Sequence, residues 1–370
     1  MAKTWKGNAL LLALTLVFIF AIFELIVFRW VLVAADLPQL SENEGYLLKY
    51  EPNQSGVYRV KHEIKANYKI NSNGWNSNYK SYPTALTPGK KRIVVIGDSY
   101  IEALQVNYDK SFAEQLEKIL GRDSTEVFRF GMSGAPVSHY VYMLGQEAIK
   151  HSPHVVIINL VDNDFLQSLG LNEGTYTDSF ATYQIHRDGS ISDTEPKQYR
   201  RNIAWYIKRT ATFRYLYVRM KLMPRLIAKS IMKNFYRKRS DVTHSSKLSN
   251  LGNYSVAQKS EIIIDYALDN LEHLQKKHRF ELFLIVDGDR SETMNAIDEN
   301  RPINRSGLWL NRLLSTKASL RSIKLLNLQD VIKEDYLENR KPFQFANDYH
   351  WNQYMHSLVA QAAKDYFFAM

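Results

Sequence analysis

Arg92-Ile93-Val94-Val95-Ile96-Gly97-Asp98-Ser99 is a short apolar run closed by a glycine and two polar residues. Four consecutive β-branched residues suit a pleated strand that is buried on both faces, as strands of parallel sheets are. Gly97 permits a tight turn at the strand's carboxyl end. Ser99 follows it, in the position where open α/β sheets place their ligands. A helix starting there would aim its positive end at developing negative charge.

Outward from this run, apolar strands alternate with helical periodicity. Ser111 to Leu120 and Val137 to Lys150 have helical spacing, whereas Thr125 to Phe130 and His154 to Leu160 are strand-like. After residue 259 the pattern resumes with a helix over Ser260 to His278 and a strand over Glu281 to Val286. A helix at Gly307 to Leu314, a strand at Ile323 to Leu328 and a helix at Asn352 to Phe367 complete it. Alternating buried strands and helices predict a flavodoxin-like three-layer α/β/α sandwich with about five parallel strands. Residues 91–370 carry this body, and 165–259 interrupt it as an insertion.

Ala9 to Phe23 is apolar apart from Thr15, and the run continues past Glu24 and Arg29 to Ala35. A helix over it is long enough for the roughly 30 Å of a bilayer core. Lys3 and Lys6 precede it, so the positive-inside bias predicts a single-pass anchor over 1–36 with everything beyond it outside the cytoplasm. A cleaved signal peptide is the competing reading, since Val33-Ala34-Ala35 offers small residues to a peptidase. Residues 37–90, rich in Asn and Tyr, are expected to be a tether with an irregular lead-in.

The formal charge of +10 is concentrated in one place. Lys197 to Ser240 holds fourteen Lys or Arg and no acid, leaving 34 basic against 38 acidic residues elsewhere. Apolar and aromatic residues recur among these cations at helical spacing, as at Arg200 to Arg209. A basic helical insertion of this kind suits anionic lipid or acidic polysaccharide, or else forms the solvated face of a cap. In an exported protein, nucleic acid is not the expected partner. The chain has no cysteine, which excludes disulfides and thiolate metal sites.

A serine hydroxyl needs an adjacent base held by a third group. Among ten histidines, His350 stands out in Asn347-Asp348-Tyr349-His350-Trp351-Asn352, just before the last helix. In an extended segment, Asp348 and His350 point the same way, so the carboxylate can orient the imidazole. Gly134, in Gly131-Met132-Ser133-Gly134, and Asn163, in Asp162-Asn163-Asp164, follow the second and third strands and are candidate oxyanion donors. Asp287-Gly288-Asp289-Arg290 is better explained by turn chemistry than as a metal site. His139, His151 and His154 lack ligand-like spacing. No cofactor or metal is expected.

Four blocks in this order resemble the SGNH (GDSL-type) hydrolase superfamily of esterases, lipases and acyltransferases. They are Gly97-Asp98-Ser99, then Gly134, then Asn163-Asp164, then Asp348 with His350. The lead-in Asn71-Ser72-Asn73-Gly74 resembles the segment before the first strand in bacterial members. The resemblance covers about 66–168 and 260–370, and implies Ser99 as nucleophile, His350 as general base and Asp348 as its orienting carboxylate. It also implies an oxyanion hole formed by Ser99, Gly134 and Asn163.

Two positions depart from the family pattern. Val161 replaces a usual glycine, and a single residue separates Asp348 from His350 where the family usually has two. The shorter spacing followed by Trp351-Asn352 resembles the subgroup that includes alginate-type polysaccharide O-acetyltransferases. Asp241 and His244 match the longer spacing but lie in a polar stretch of the insertion. The expected function is ester hydrolysis, removing acetyl groups from a cell-surface glycan. The alternatives are acetyl transfer to an extracytoplasmic polysaccharide, or a non-catalytic glycan-binding role on a hydrolase fold.

Overall fold

A computed structural model describes residues 2–42, 45–162, 164–171, 176–222 and 254–369. After the N-terminal helix, β1 (Ser55–Val60) and β2 (Ile64–Lys69) form an antiparallel hairpin. The central sheet is built from β3 (Lys91–Gly97), β4 (Thr125–Gly131) and β5 (Val155–Leu160). A second hairpin, β6 (Thr182–Ile185) with β7 (Ile191–Thr194), opens the insertion. The sheet then continues with β8 (Glu281–Val286) and β9 (Lys324–Asn327). A short hairpin of β10 (Gln344–Phe345) and β11 (Asp348–Trp351) precedes the last helix.

The five central strands are parallel, in the order β4-β3-β5-β8-β9. The two-residue period of β3 explains why its sequence is continuously apolar. Ile93 and Val95 join one core cluster and Val94 and Ile96 the other, all at 0% exposure. Helices Val137–Gln146, Val256–His278 and Trp309–Leu320 pack on the Val94 face. Helices Phe112–Leu120, Leu328–Asn339 and Gln353–Phe367 pack on the Ile93 face. Burial of each such Val or Ile contributes roughly 1.5–3 kcal/mol, so both faces of β3 must stay covered. The chain steps from β3 to β4 on one side and then crosses to β5 on the other. The carboxyl end of β3 is therefore the topological switch point, and Ser99 lies there.

The lead-in does not stand away from this body. Val60, Ile64, Ile70 and Trp75 belong to the main core cluster, each at most 2% exposed. Buried Arg92 donates to the Thr84 and Ala85 carbonyls and pairs with Glu126 at 2.6 Å. The Tyr82 hydroxyl donates to the Arg129 carbonyl at 3.0 Å, across edge strand β4. In this way residues 55–85 cover that edge.

Trp5–Val31 is long and apolar enough to cross a membrane, with mean hydropathy 2.9 and none of the segment buried. It runs as an α-helix over Ala2–Ile22 and in wider turns over Phe23–Val31. Its outer end is clasped by the insertion. Glu24 accepts from Ala211 N at 2.7 Å, Thr212 N at 2.8 Å and Thr212 Oγ1 at 2.9 Å. Phe28 stacks on Tyr215 at 4.5 Å, and Arg214 donates to Ala35 O and Asp36 at 2.8 and 2.9 Å. The two charges within the apolar run are thus accounted for: Glu24 is held by backbone donors, and Arg29 donates back to the Glu24 carbonyl at 3.1 Å.

Candidate active site

Asp98 caps the short helix Ser99–Glu102, its carboxylate accepting from Tyr100 N at 3.0 Å. That cap fixes the turn after β3 and sets Ser99 at the head of the helix. From the other end of the chain, β11 delivers Asp348 and His350 on one side of an extended segment. His350 Nε2 lies 2.8 Å from Ser99 Oγ. His350 Nδ1 is bonded to Asp348 Oδ1, whose residue also accepts from the His350 backbone N–H at 3.2 Å. With Nδ1 carrying the proton toward Asp348, Nε2 is the acceptor for the serine hydroxyl. A competing acceptor, Asp98 Oδ2, stands 3.2 Å from the same oxygen.

Burial pushes the Asp348 carboxyl up, but the hydrogen bond and charge of His350 and the Lys221 ammonium outweigh it and hold it below its ordinary value. Lys221 Nζ lies 3.4 Å from Asp348 Oδ2. Asp98, fully desolvated, is pushed up. Beside the imidazole, the Tyr100 ring lies 5.2 Å away. Arg290 fixes that ring, its guanidinium stacking at 5.1 Å and donating to Tyr100 Oη at 2.8 Å and to Tyr349 O at 2.9 Å. Arg290 also pairs with Asp287, which accepts from Trp351 Nε1 at 3.3 Å. The Asp287-Gly288-Asp289-Arg290 turn therefore braces the histidine strand.

Gly134 sits on the loop after β4 in a left-handed conformation (φ +74°), and a Cβ built there would meet open space. The residue before it is tied down. Ser133 Oγ donates to Glu102 Oε2, and Ser133 N donates to Glu102 Oε1 at 3.3 Å. Glu102 is 1% exposed and also accepts from Tyr50 of the lead-in. Gly131 allows this approach: a Cβ there would stand 2.1 Å from Glu102 N. Asn163, the remaining expected oxyanion donor, lies outside the described residues, as do Asp241 and His244. Its neighbour Asp164 is buried under the loop, accepting from Tyr140 Oη at 2.8 Å and Val161 N at 3.0 Å.

The structure thus brings Ser99, His350 and Asp348 into one hydrogen-bonded chain, with the Gly134 loop beside it. Sequence reasoning missed Glu102, Lys221 and Arg290. An acid three residues after the serine carries no signal by itself, and Lys221 lies 127 residues from its partner. The other histidines serve packing. His139 and His154 each accept a backbone N–H through Nδ1, from Ala181 at 3.1 Å and Arg92 at 2.9 Å.

No protein-family model matches the chain, and no curated protein matches it. Among solved structures it is similar to esterases. The acetyl xylan esterase AlAXEase aligns at 11% identity and a TM-score of 0.42, over 73% of this chain and 96% of its own. A variant of an acetyl xylan esterase from Geobacillus stearothermophilus aligns at 12% and 0.41, over 76% and 97%. A member of the lipolytic G-D-S-L family from Veillonella parvula aligns at 13% and 0.38, over 76% and 100%.

Proposed function

We propose that the protein is a serine ester hydrolase of the SGNH type, held at the outer face of a membrane by its N-terminal helix. The observation that carries this reading is the bonded chain Ser99 Oγ, His350 and Asp348 at the carboxyl end of β3. Ser99 Oγ attacks the ester carbonyl while His350 Nε2 takes its proton and Asp348 stabilises the imidazolium. Backbone N–H groups of Ser99 and Gly134 and the Asn163 amide stabilise the oxyanion. Collapse breaks the ester bond, and His350 returns the proton to the leaving alcohol. Water, deprotonated by His350, then releases the acid and regenerates Ser99.

The substrate class proposed is an acetylated glycan outside the cytoplasm, on the strength of the helix's sidedness and the basic, aromatic insertion. Acetyl transfer to a sugar hydroxyl is the second reading, because the Asp-x-His spacing of β11 is the feature resembling the acetyltransferase subgroup. Incubation with an acetylated oligosaccharide and a labelled non-acetylated acceptor separates the two. Free acetate as the main product is expected. Labelled acetylated acceptor in excess of acetate would favour transfer, and neither product, in protein that folds, would contradict both.

A further inference from the structure

A cavity of about 440 Å³ lies between the lead-in and the insertion, within the usual size range of small-ligand sites. One end is formed by residues 37–40, directly beyond the membrane helix. Toward the other stand Ser133, which precedes Gly134, and Lys221, which contacts Asp348. No acidic side chain lines it among the described residues, whereas Lys208, Arg209 and Lys221 do. Arg209 is held at the wall by stacking on Trp205 at 4.5 Å, and Arg201 stacks on the same indole at 4.4 Å. Burial pushes the Lys208 ammonium down, so an anion arriving beside it would recover lost charge stabilisation. The remaining walls mix tyrosines with Gln39, Gln105 and Asn202. Hydroxyls and amides of this kind bond sugar hydroxyls, for which a lipid acyl chain has no use.

We infer that this cavity is the binding site for a carboxylate-bearing sugar, a uronate unit of an acidic glycan, next to the unit whose ester reaches Ser99. The inference rests on the ester-hydrolase reading only for what lies at Ser99. Lys208 and Arg209 bind the carboxylate, and the tyrosines and amides bind the ring. A neutral glycan leaves two desolvated cations without a partner and is rejected on that account.

The test is calorimetry on full-length Ser99→Ala protein in neutral phosphatidylcholine nanodiscs, titrated with tetragalacturonate and with xylotetraose. Tetragalacturonate should bind at least about ten-fold more tightly than xylotetraose, a difference of about 1.4 kcal/mol. Lys208→Gln should remove most of that preference, and so should Arg209→Gln, whose exposed side chain makes loss of folding improbable. Equal affinity for the two tetramers, or a preference unchanged in both variants, would overturn the inference. So would failure to bind tetragalacturonate accompanied by a Lys208-dependent response to phosphatidylglycerol in the discs, which would identify a lipid site. Fluorophosphonate labelling of the wild-type serine is independent of all these outcomes, so the hydrolase reading stands or falls separately.

Discussion

Ser133 Oγ donates a hydrogen bond to Glu102, a carboxylate 1% exposed and three residues beyond Ser99 on the same short helix. One buried group therefore ties the loop that presents Gly134 to the element that presents the serine, and Tyr50 locks it from the lead-in side. Glu102→Gln keeps the volume but turns one acceptor into a donor facing other donors. Stability should fall by about 1–3 kcal/mol for the unsatisfied group. With the oxyanion loop loosened, kcat should fall about ten- to a hundred-fold with KM little changed. Steady-state kinetics beside a urea melt would check this. A variant that loses stability but keeps wild-type kcat would mean that Glu102 does not position the loop.

Asp164 makes stability depend on pH. Burial raises its carboxyl well above the ordinary 3.8, so the folded protein binds this proton more tightly than the unfolded chain. Its stability contribution is then greatest at low pH and declines as pH rises from about 4 through the folded value, by at most about 1.4 kcal/mol per unit. Asp164→Asn removes that dependence. His139 and His356, both pushed down to about 3 by burial, lose stability as pH falls below 6.5 but do so equally in both proteins. Thermal melts from pH 5 to 8 should show the variant gaining on the wild type as pH rises. A constant difference would contradict the raised value.

The helix clasp bears on processing. A peptidase cutting after Ala35 would cut at a residue 0% exposed whose carbonyl accepts from Arg214, and would remove Glu24 from three donors. The membrane-extracted protein should therefore retain its helix, and mass spectrometry of its N-terminal peptide reads this directly. A mature chain beginning at Asp36 would contradict it.

The sheet was legible because β3, β5 and β8 are buried on both faces and their sequences show it. The Ser99–His350–Asp348 arrangement was legible for a second reason, since Asp348 and His350 share a side of a strand by the two-residue period alone. The lead-in was not, because its burial is polar. Asn71, Asn76 and Ser77 are at most 2% exposed, and the two asparagine side chains are bonded, Asn71 Oδ1 to Trp75 N at 3.0 Å and Asn76 Nδ2 to Glu102 O at 2.8 Å. Composition shows such a segment as a solvated tether. The insertion was expected to be helical, yet it opens with the β6–β7 hairpin, whose turn contains Asp188 and Gly189 (φ +84°). Asp-Gly between short alternating runs is a hairpin signal that the surrounding positive charge obscured. Glu102 and Lys221 act through partners far away in sequence, and no local pattern announces them.

The central claim is that Ser99 is a nucleophile activated by His350, and fluorophosphonate labelling of the folded protein tests it most directly. The account predicts covalent labelling at Ser99 in the wild type, none in Ser99→Ala, and loss of at least about a hundred-fold in labelling rate in His350→Ala. Wild-type protein that melts cooperatively yet takes up no label, or that labels equally fast without His350, would contradict it.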